Sequence, residues 1–286
     1  MPDLIKHMAP QPDHAERYNT VTRLDMTSES VAFPAQIEAA VQSLSQTGAV
    51  ILENVVPLHY LLQIRDWLAN VPMLSPCHPH VHANGHMHTE PPTSAGYVWP
   101  AMLANKTIID VVHTYIGAKL RMNYYGMNVN MPGSTHQPAH VDFCSSSAST
   151  AREVVINLPL VDTSAANGAT ELWLGTHRAP LNASGPLCKV PTEMLCEWNR
   201  EPVQPTVSMG SALIRDIGLW HRGTPNHSER SRPMLALIYS AQSVRYPPGT
   251  AIRYQGASRE DFVSDNFDMH AVFERSCANT SCAHHT

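Results

Sequence analysis

Pro132-Gly133-Ser134-Thr135-His136-Gln137-Pro138-Ala139-His140-Val141-Asp142 is the stretch on which the reading of this chain turns. A turn after a strand-like run delivers His140 and Asp142 two residues apart. Side chains at i and i+2 of a strand share a face, so both can project into a barrel interior while Val141 faces the other surface. His221, in Trp220-His221-Arg222-Gly223, follows 79 residues after Asp142 on a different strand, and Arg232 comes eleven residues later. Two imidazoles and one carboxylate make the facial ligand set that holds non-haem Fe(II) with open coordination positions. Those positions have room for a chelating 2-oxo acid at two and dioxygen at the third. The remote carboxylate of that acid then needs a cation, and Arg232 opens the apolar strand Arg232-Pro233-Met234-Leu235-Ala236-Leu237 where a planar bidentate donor can meet it. Fe(II), Asp142, a 2-oxo diacid and Arg232 sum to zero charge, which avoids the desolvation cost of an uncompensated buried ion.

The triplet alone is weak. With 17 His and 24 acidic residues in 286, about 1.4 His-x-acid triplets arise by chance. Four are present: His14/Glu16, His88/Glu90, His140/Asp142 and His227/Glu229. Only His140/Asp142 follows a strand and a turn and has a His and an Arg downstream. Taken singly, His140 and His221 read equally well as satisfied core histidines, Asp142 as a turn or cap residue and Arg232 as a solvated surface arginine. Taken together they read as a metal centre.

Composition narrows the function classes. At 43% hydrophobic residues the chain can bury a large core. A net charge of −5 and no run of five or more Lys/Arg give no electrostatic support for nucleic acid or a membrane surface, so the expected partner is a small molecule. The six cysteines contain no C-x-x-C pair, and Met1 to Pro10 lacks the apolar core of a signal peptide. Free thiols in a cytoplasmic compartment are therefore expected. Cys277 to His285 fits no zinc spacing and reads as a frayed end.

Residues 1–33 read as an irregular N-terminal arm. Ile37, Ala40, Val41 and Leu44 recur at helical spacing, Gly48 stops that helix, and Ala49 to Leu52 reads as a buried strand. Pro57 opens a second helix through Leu68, and a third spans Leu103 to Ile116 and ends at Gly117. Thereafter the pattern turns β, with runs at 120–131, 153–158, 170–174, 212–215 and 234–239 separated by turn residues. The expectation is one α+β domain over 34–260, with a helical part at 34–118 flanking a jelly-roll barrel at 119–245 and a tail over 261–286.

Beyond the opening stretch, Asn157-Leu158-Pro159-Leu160-Val161-Asp162, Asn167-Gly168-Ala169-Thr170-Glu171-Leu172-Trp173-Leu174-Gly175-Thr176-His177 and His221-Arg222-Gly223-Thr224-Pro225-Asn226 occur in that order. Over roughly residues 35–245 the chain resembles the phytanoyl-CoA dioxygenase family, and within it the fungal members of secondary-metabolite pathways. The resemblance implies a double-stranded β-helix, cupin-like in shape, that uses Fe(II), 2-oxoglutarate and O2 to oxidise a C–H bond of a small natural product. It implies His140, Asp142 and His221 as iron ligands, Arg232 as the partner of the 2-oxoglutarate distal carboxylate, and Gln137 and Thr170 as further co-substrate contacts. Without the resemblance, Gln137 reads as a turn-capping amide and Thr170 as an ordinary strand residue. Related halogenases lack a carboxylate at the position of Asp142, so its presence favours hydroxylation, desaturation or a related oxidation. A homodimer is also in keeping with the family. A cupin-like metal-dependent isomerase or hydrolase, or a binding protein without turnover, would keep the three ligands but not need Arg232.

The segment Cys77 to His88 holds five histidines in a Gly- and Pro-containing context and reads as a lid loop. His86, Met87, His88 and Tyr97 are the substrate-side candidates. Met122, Tyr124 and Met127 read as core ahead of pocket lining. His177 is assigned to a structural turn, and Trp220 to packing beside the metal strand.

Overall fold

The computed structural model describes residues 19–27, 33–71, 84–144, 153–179, 181, 185–245 and 251–274. Helices α1 (Phe33–Thr47), α2 (Leu58–Ala69), α3 (Pro100–Leu103) and α4 (Lys106–Ile116) precede most of the strands. Each forms for a local reason. In α4 the Asn105 side chain accepts the Ile108 N–H at 3.2 Å, and Gly117 ends the helix in the left-handed conformation at φ 73°. Ile108, Val111, Val112 and Tyr115 give α4 one buried stripe, and Leu61, Ile64 and Leu68 do the same for α2.

The strands are β1 (Arg23–Asp25), β2 (Ala49–Glu53), β3 (His86–Thr89), β4 (Leu120–Asn130), β5 (His140–Cys144), β6 (Glu153–Pro159), β7 (Glu171–Leu172), β8 (Gly185–Lys189), β9 (Ala212–Asp216), β10 (His221–Arg222), β11 (Arg232–Ala241), β12 (Ile252–Gln255), β13 (Phe267–Met269) and β14 (Ala271–Glu274). A fifth helix, α5 (Thr192–Trp198), follows β8. The major sheet runs β1-β2-β9-β6-β11-β4-β13, with β3 also paired to β4; the minor sheet runs β7-β10-β5-β8; β12 and β14 form a separate pair. This is the double-sheet barrel expected from the strand pattern.

Alternation along the major sheet separates two environments. Val154, Ile156 and Leu158 on β6, Leu235, Leu237 and Tyr239 on β11, and Met122 and Met127 on β4 join the helices in the principal apolar core. Full burial of each such side chain contributes about 1.5–3 kcal/mol. Their alternates Val155, Asn157, Met234, Ala236 and Ile238 border a cavity instead. Tyr124 belongs to that second set, at 40% exposure on the cavity wall, so its expected core role fails while those of Met122 and Met127 hold.

Two expected boundaries shift. β1 lies inside the expected N-terminal arm but pairs parallel with β2, because Val21 and Met26 are apolar and buried on either side of it. β13 lies in the expected tail but pairs parallel with the start of β4, and the Phe267 ring packs fully buried 5.0 Å from that of Tyr239. A single buried aromatic anchors a segment too short to show periodicity. The Cys277–His285 stretch lies outside the described residues. Cys188 is disulfide-bonded, which corrects the expectation of free thiols there, while Cys196 is free and exposed. Among the described residues no helix is long and apolar enough to cross a membrane.

Candidate metal centre

His140 and Asp142 come from β5 and His221 from β10, where the antiparallel ladder sets His221 directly opposite His140. Their inward faces follow from the i, i+2 rule, since Val141 between them packs outward with Trp173, Trp198 and Trp220. Trp220 is thus a packing residue. One donor atom from each of His140, Asp142 and His221 lies within 4.8 Å of the others. Asp142 Oδ1 is 3.3 Å from His221 Nε2 and 3.9 Å from His140 Nε2.

Backbone carbonyls fix the rings. His140 Nδ1 donates to Pro138 O and His221 Nδ1 to Leu219 O, each at 2.9 Å. In the neutral ring this turns each Nε2 lone pair toward Asp142, the orientation that an outer hydrogen bond gives a metal-ligating histidine. Burial, reinforced by the nearby His221, pushes His140 down to about 4, so the ring is neutral at physiological pH. Burial alone would raise Asp142, but the Arg215 guanidinium and the two histidines outweigh it and hold the carboxyl well below the usual range. A neutral His140 ring and an ionised Asp142 carboxyl thus face one point together with His221 Nε2, and Fe(II) fits that donor set.

The three residues border a cavity of about 660 Å³ that Arg232, Gln137, Thr170, His86, Met87 and His88 also line. Arg232 is 3% exposed, donates through Nη2 to Gly168 O at 2.7 Å, and leaves Nε buried without a partner. Among the described residues no carboxylate pairs with it. Burial lowers it to about 10, so it is still protonated at neutral pH. A buried guanidinium lacking a counter-charge costs several kcal/mol, and an anionic ligand would remove that cost.

The chain matches the phytanoyl-CoA dioxygenase (PhyH) family over residues 44–234, more than half its length. It belongs to the phytanoyl-CoA dioxygenase family. Enzymes of this family use Fe(II), 2-oxoglutarate and O2, the set that the donors and Arg232 fit. Among solved structures, the epimerase SnoN in complex with Fe3+, alpha ketoglutarate and nogalamycin RO aligns with a TM-score of 0.58 at 18% identity, covering 77% of this chain and 88% of SnoN. SnoK, a non-heme alpha ketoglutarate dependent carbocyclase from nogalamycin biosynthesis, gives 0.57 at 16%, covering 74% and 87%. EvdMO1 gives 0.56 at 14% and covers 72% of this chain, which spans only 50% of EvdMO1. At these identities the likeness shows the shared fold.

Within this family member, Gln137 and Gly223 clasp each other. The Gly223 N–H donates to Gln137 Oε1 and the Gln137 N–H to Gly223 O, both at 2.9 Å. A Cβ at residue 223 would lie 2.5 Å from His86 Cε1, so this approach requires glycine. The Gln137 amide oxygen is thus spent on bracing the turn that follows His221. His86, Met87 and His88 reach the cavity, but His86–Thr89 form strand β3 against β4 rather than a lid loop. Residues 72–83, which complete the expected lid, lie outside the described residues. Tyr97 does not join the site. It packs on the principal core with its ring centroid 6.4 Å from that of Trp99. His177 falls in the Thr176–Arg178 turn and outside the metal cluster.

Sequence reasoning missed Arg215 on β9. It is 4% exposed, with Nη2 2.5 Å from Asp142 Oδ2 and Nε donating to Asn157 Oδ1 at 3.2 Å. Its sequence signal was a charge interrupting the apolar run Ala212-Leu213-Ile214-Arg215, at the alternate position that faces the cavity. Arg215 also leaves the assembly with one positive charge instead of the neutral sum reached without it.

Proposed function

We propose that this chain is an Fe(II)- and 2-oxoglutarate-dependent dioxygenase oxidising a C–H bond of a small natural-product substrate. The observation that carries the reading is a candidate metal-ligand triad sharing one cavity with a buried arginine that has no carboxylate partner among the described residues. His140, Asp142 and His221 would hold the metal, and Arg232, with Thr170 beside it on the wall, would receive the far carboxylate of 2-oxoglutarate. Gln137 supports the site through Gly223. Bound there, iron with 2-oxoglutarate and dioxygen supplies the oxidising equivalent that removes a substrate hydrogen, while 2-oxoglutarate becomes succinate and carbon dioxide. The chain's own contribution is to keep the His140 imidazole neutral, the Asp142 carboxyl ionised and all three donors aimed, and to present the substrate from the wall of Met87, Val155, Met234, Ala236 and Ile238. His86, His88 and Tyr124 add polar groups to that wall. Hydroxylation and desaturation are the simplest outcomes. Epimerisation and ring closure are the reactions named for SnoN and SnoK. A protein without nucleic-acid or membrane-surface partners belongs to the same reading, supported by the net charge of −5; the homodimer and the cytoplasmic location rest on the sequence reading alone, and the disulfide at Cys188 weighs against the latter.

Anaerobic titration of the purified chain with Fe(II) and then 2-oxoglutarate tests the proposal. The expected result is the weak visible charge-transfer band of a chelated iron complex, and a folded, iron-loaded protein without that band would refute it. A metal-dependent isomerase or hydrolase needs no 2-oxo acid, so loss of 2-oxoglutarate binding in Arg232→Ala separates it from the dioxygenase.

A further inference from the structure

Asp142 offers its two oxygens to different partners. Oδ1 faces the Nε2 atoms of His221 and His140 at 3.3 and 3.9 Å, whereas Oδ2 receives Arg215 Nη2 at 2.5 Å. Arg215 has little freedom to leave that position. Its Nε is tied to Asn157 Oδ1 at 3.2 Å, Asn157 is itself 1% exposed, and Arg215 lies on β9 between β2 and β6 in the middle of the major sheet. Nη1 lies 3.5 Å from His221 Nδ1, an atom already donating to Leu219 O, so that contact is electrostatic rather than a hydrogen bond. One guanidinium thus spans the gap between the two sheets and touches two of the three metal-ligand residues.

We infer that Arg215 is a positioning residue that restricts Asp142 to one-atom ligation of the metal, so that a coordination position stays open for the co-substrate. A carboxylate binds a cation through one oxygen or through both, and in the second mode the extra oxygen would occupy a position that 2-oxoglutarate or dioxygen needs. A charge-assisted hydrogen bond held from the facing sheet removes Oδ2 from that competition. The same cation repels the metal, so the arrangement gives up metal affinity in favour of an open site. This inference rests on the function proposed above, and it predicts a pattern that an ordinary structural ion pair would not produce.

The test compares wild type, Arg215→Met and Arg215→Lys, loaded anaerobically with Co(II) as the probe metal. Calorimetry reads Co(II) affinity and then 2-oxoglutarate affinity of the Co(II)-loaded chain, and the visible Co(II) spectrum reports coordination number. In Arg215→Met, Co(II) should bind at least as tightly as in wild type, 2-oxoglutarate should bind about tenfold more weakly, and the Co(II) bands should weaken as the coordination number rises. Arg215→Lys keeps the charge but cannot hold Oδ2 and Asn157 together, so it should retain a deficit of about threefold in 2-oxoglutarate affinity. Parallel loss of Co(II) and 2-oxoglutarate, unchanged 2-oxoglutarate affinity, or full recovery in Arg215→Lys would each overturn the inference. Should Arg215→Met lack a cooperative melt, the lysine variant alone decides. Failure of wild type to bind Co(II) would instead remove the functional reading, and this inference with it.

Discussion

Arg215 and Arg232 stand on the two strands that flank β6, border one cavity and are almost equally shielded, at 4% and 3% exposure. Arg215 meets the Asp142 carboxylate, whereas among the described residues Arg232 meets only the Gly168 carbonyl and the Met234 sulfur and keeps Nε unpartnered. A buried charge satisfied from within belongs to the finished fold. One left without a counter-charge belongs to a complex the fold prepares for. On the proposed function, the contrast separates an arginine that shapes the metal centre from one that receives the co-substrate, and it can be broken at several points.

The largest effect is expected at Asp142. Asp142→Ala should abolish metal binding and lower turnover by about a thousandfold, equivalent to about 4 kcal/mol. It also strands Arg215, so the metal-free chain should lose about 3 kcal/mol, at the low end for a broken buried pair because Asp142 keeps 25% of its side chain exposed. Metal titration and thermal unfolding read the two losses, and an unchanged melting temperature would show that Arg215 does not depend on Asp142. Arg232→Met should weaken 2-oxoglutarate about a hundredfold and leave Co(II) affinity intact. Because it removes an uncompensated charge, the metal-free chain should melt no lower than wild type; a clear drop would place Arg232 in the same class as Arg215. In the metal-loaded wild type, 2-oxoglutarate at a hundred times its Kd should add about 2.7 kcal/mol of stability, and Arg232→Met should gain only about 0.4 kcal/mol at that concentration. Gln137→Ala loosens one hydrogen bond to Gly223, so a decrease of roughly fivefold in kcat/KM is expected from the loss of about 1 kcal/mol. Tyr97→Leu should leave KM unchanged and affect only the melting temperature, since its ring packs outside the cavity.

The sequence exposed the parts of the site that repeat a local rule. His140 and Asp142 share a face because strands alternate, and Arg232 opens a strand whose even positions line the cavity, so spacing together with the ordered family motifs singled them out. The helices were similarly legible from Leu44, Leu61, Ile108 and their periodic neighbours. Arg215 was not, because its role depends on a partner 73 positions away in the opposite sheet, and one charge in an apolar run names no partner. β3 and β13 were missed for a related reason. Each is too short to show alternation and exists because β4 offers it an edge, so the information lies in β4. Tyr97 misled because proximity in sequence to a cavity-lining strand does not determine which side of the sheet a following segment reaches.

The register that sets His221 opposite His140 also orders events in the life of the chain. During synthesis His140 and Asp142 emerge together, but the third donor follows 79 residues later and reaches them only after β10 has crossed back onto β5. A nascent chain can offer an ion two donors and no pocket. With iron held as proposed, an ion met at that stage would find two donors in place of three, and selection among competing ions would await the closed barrel.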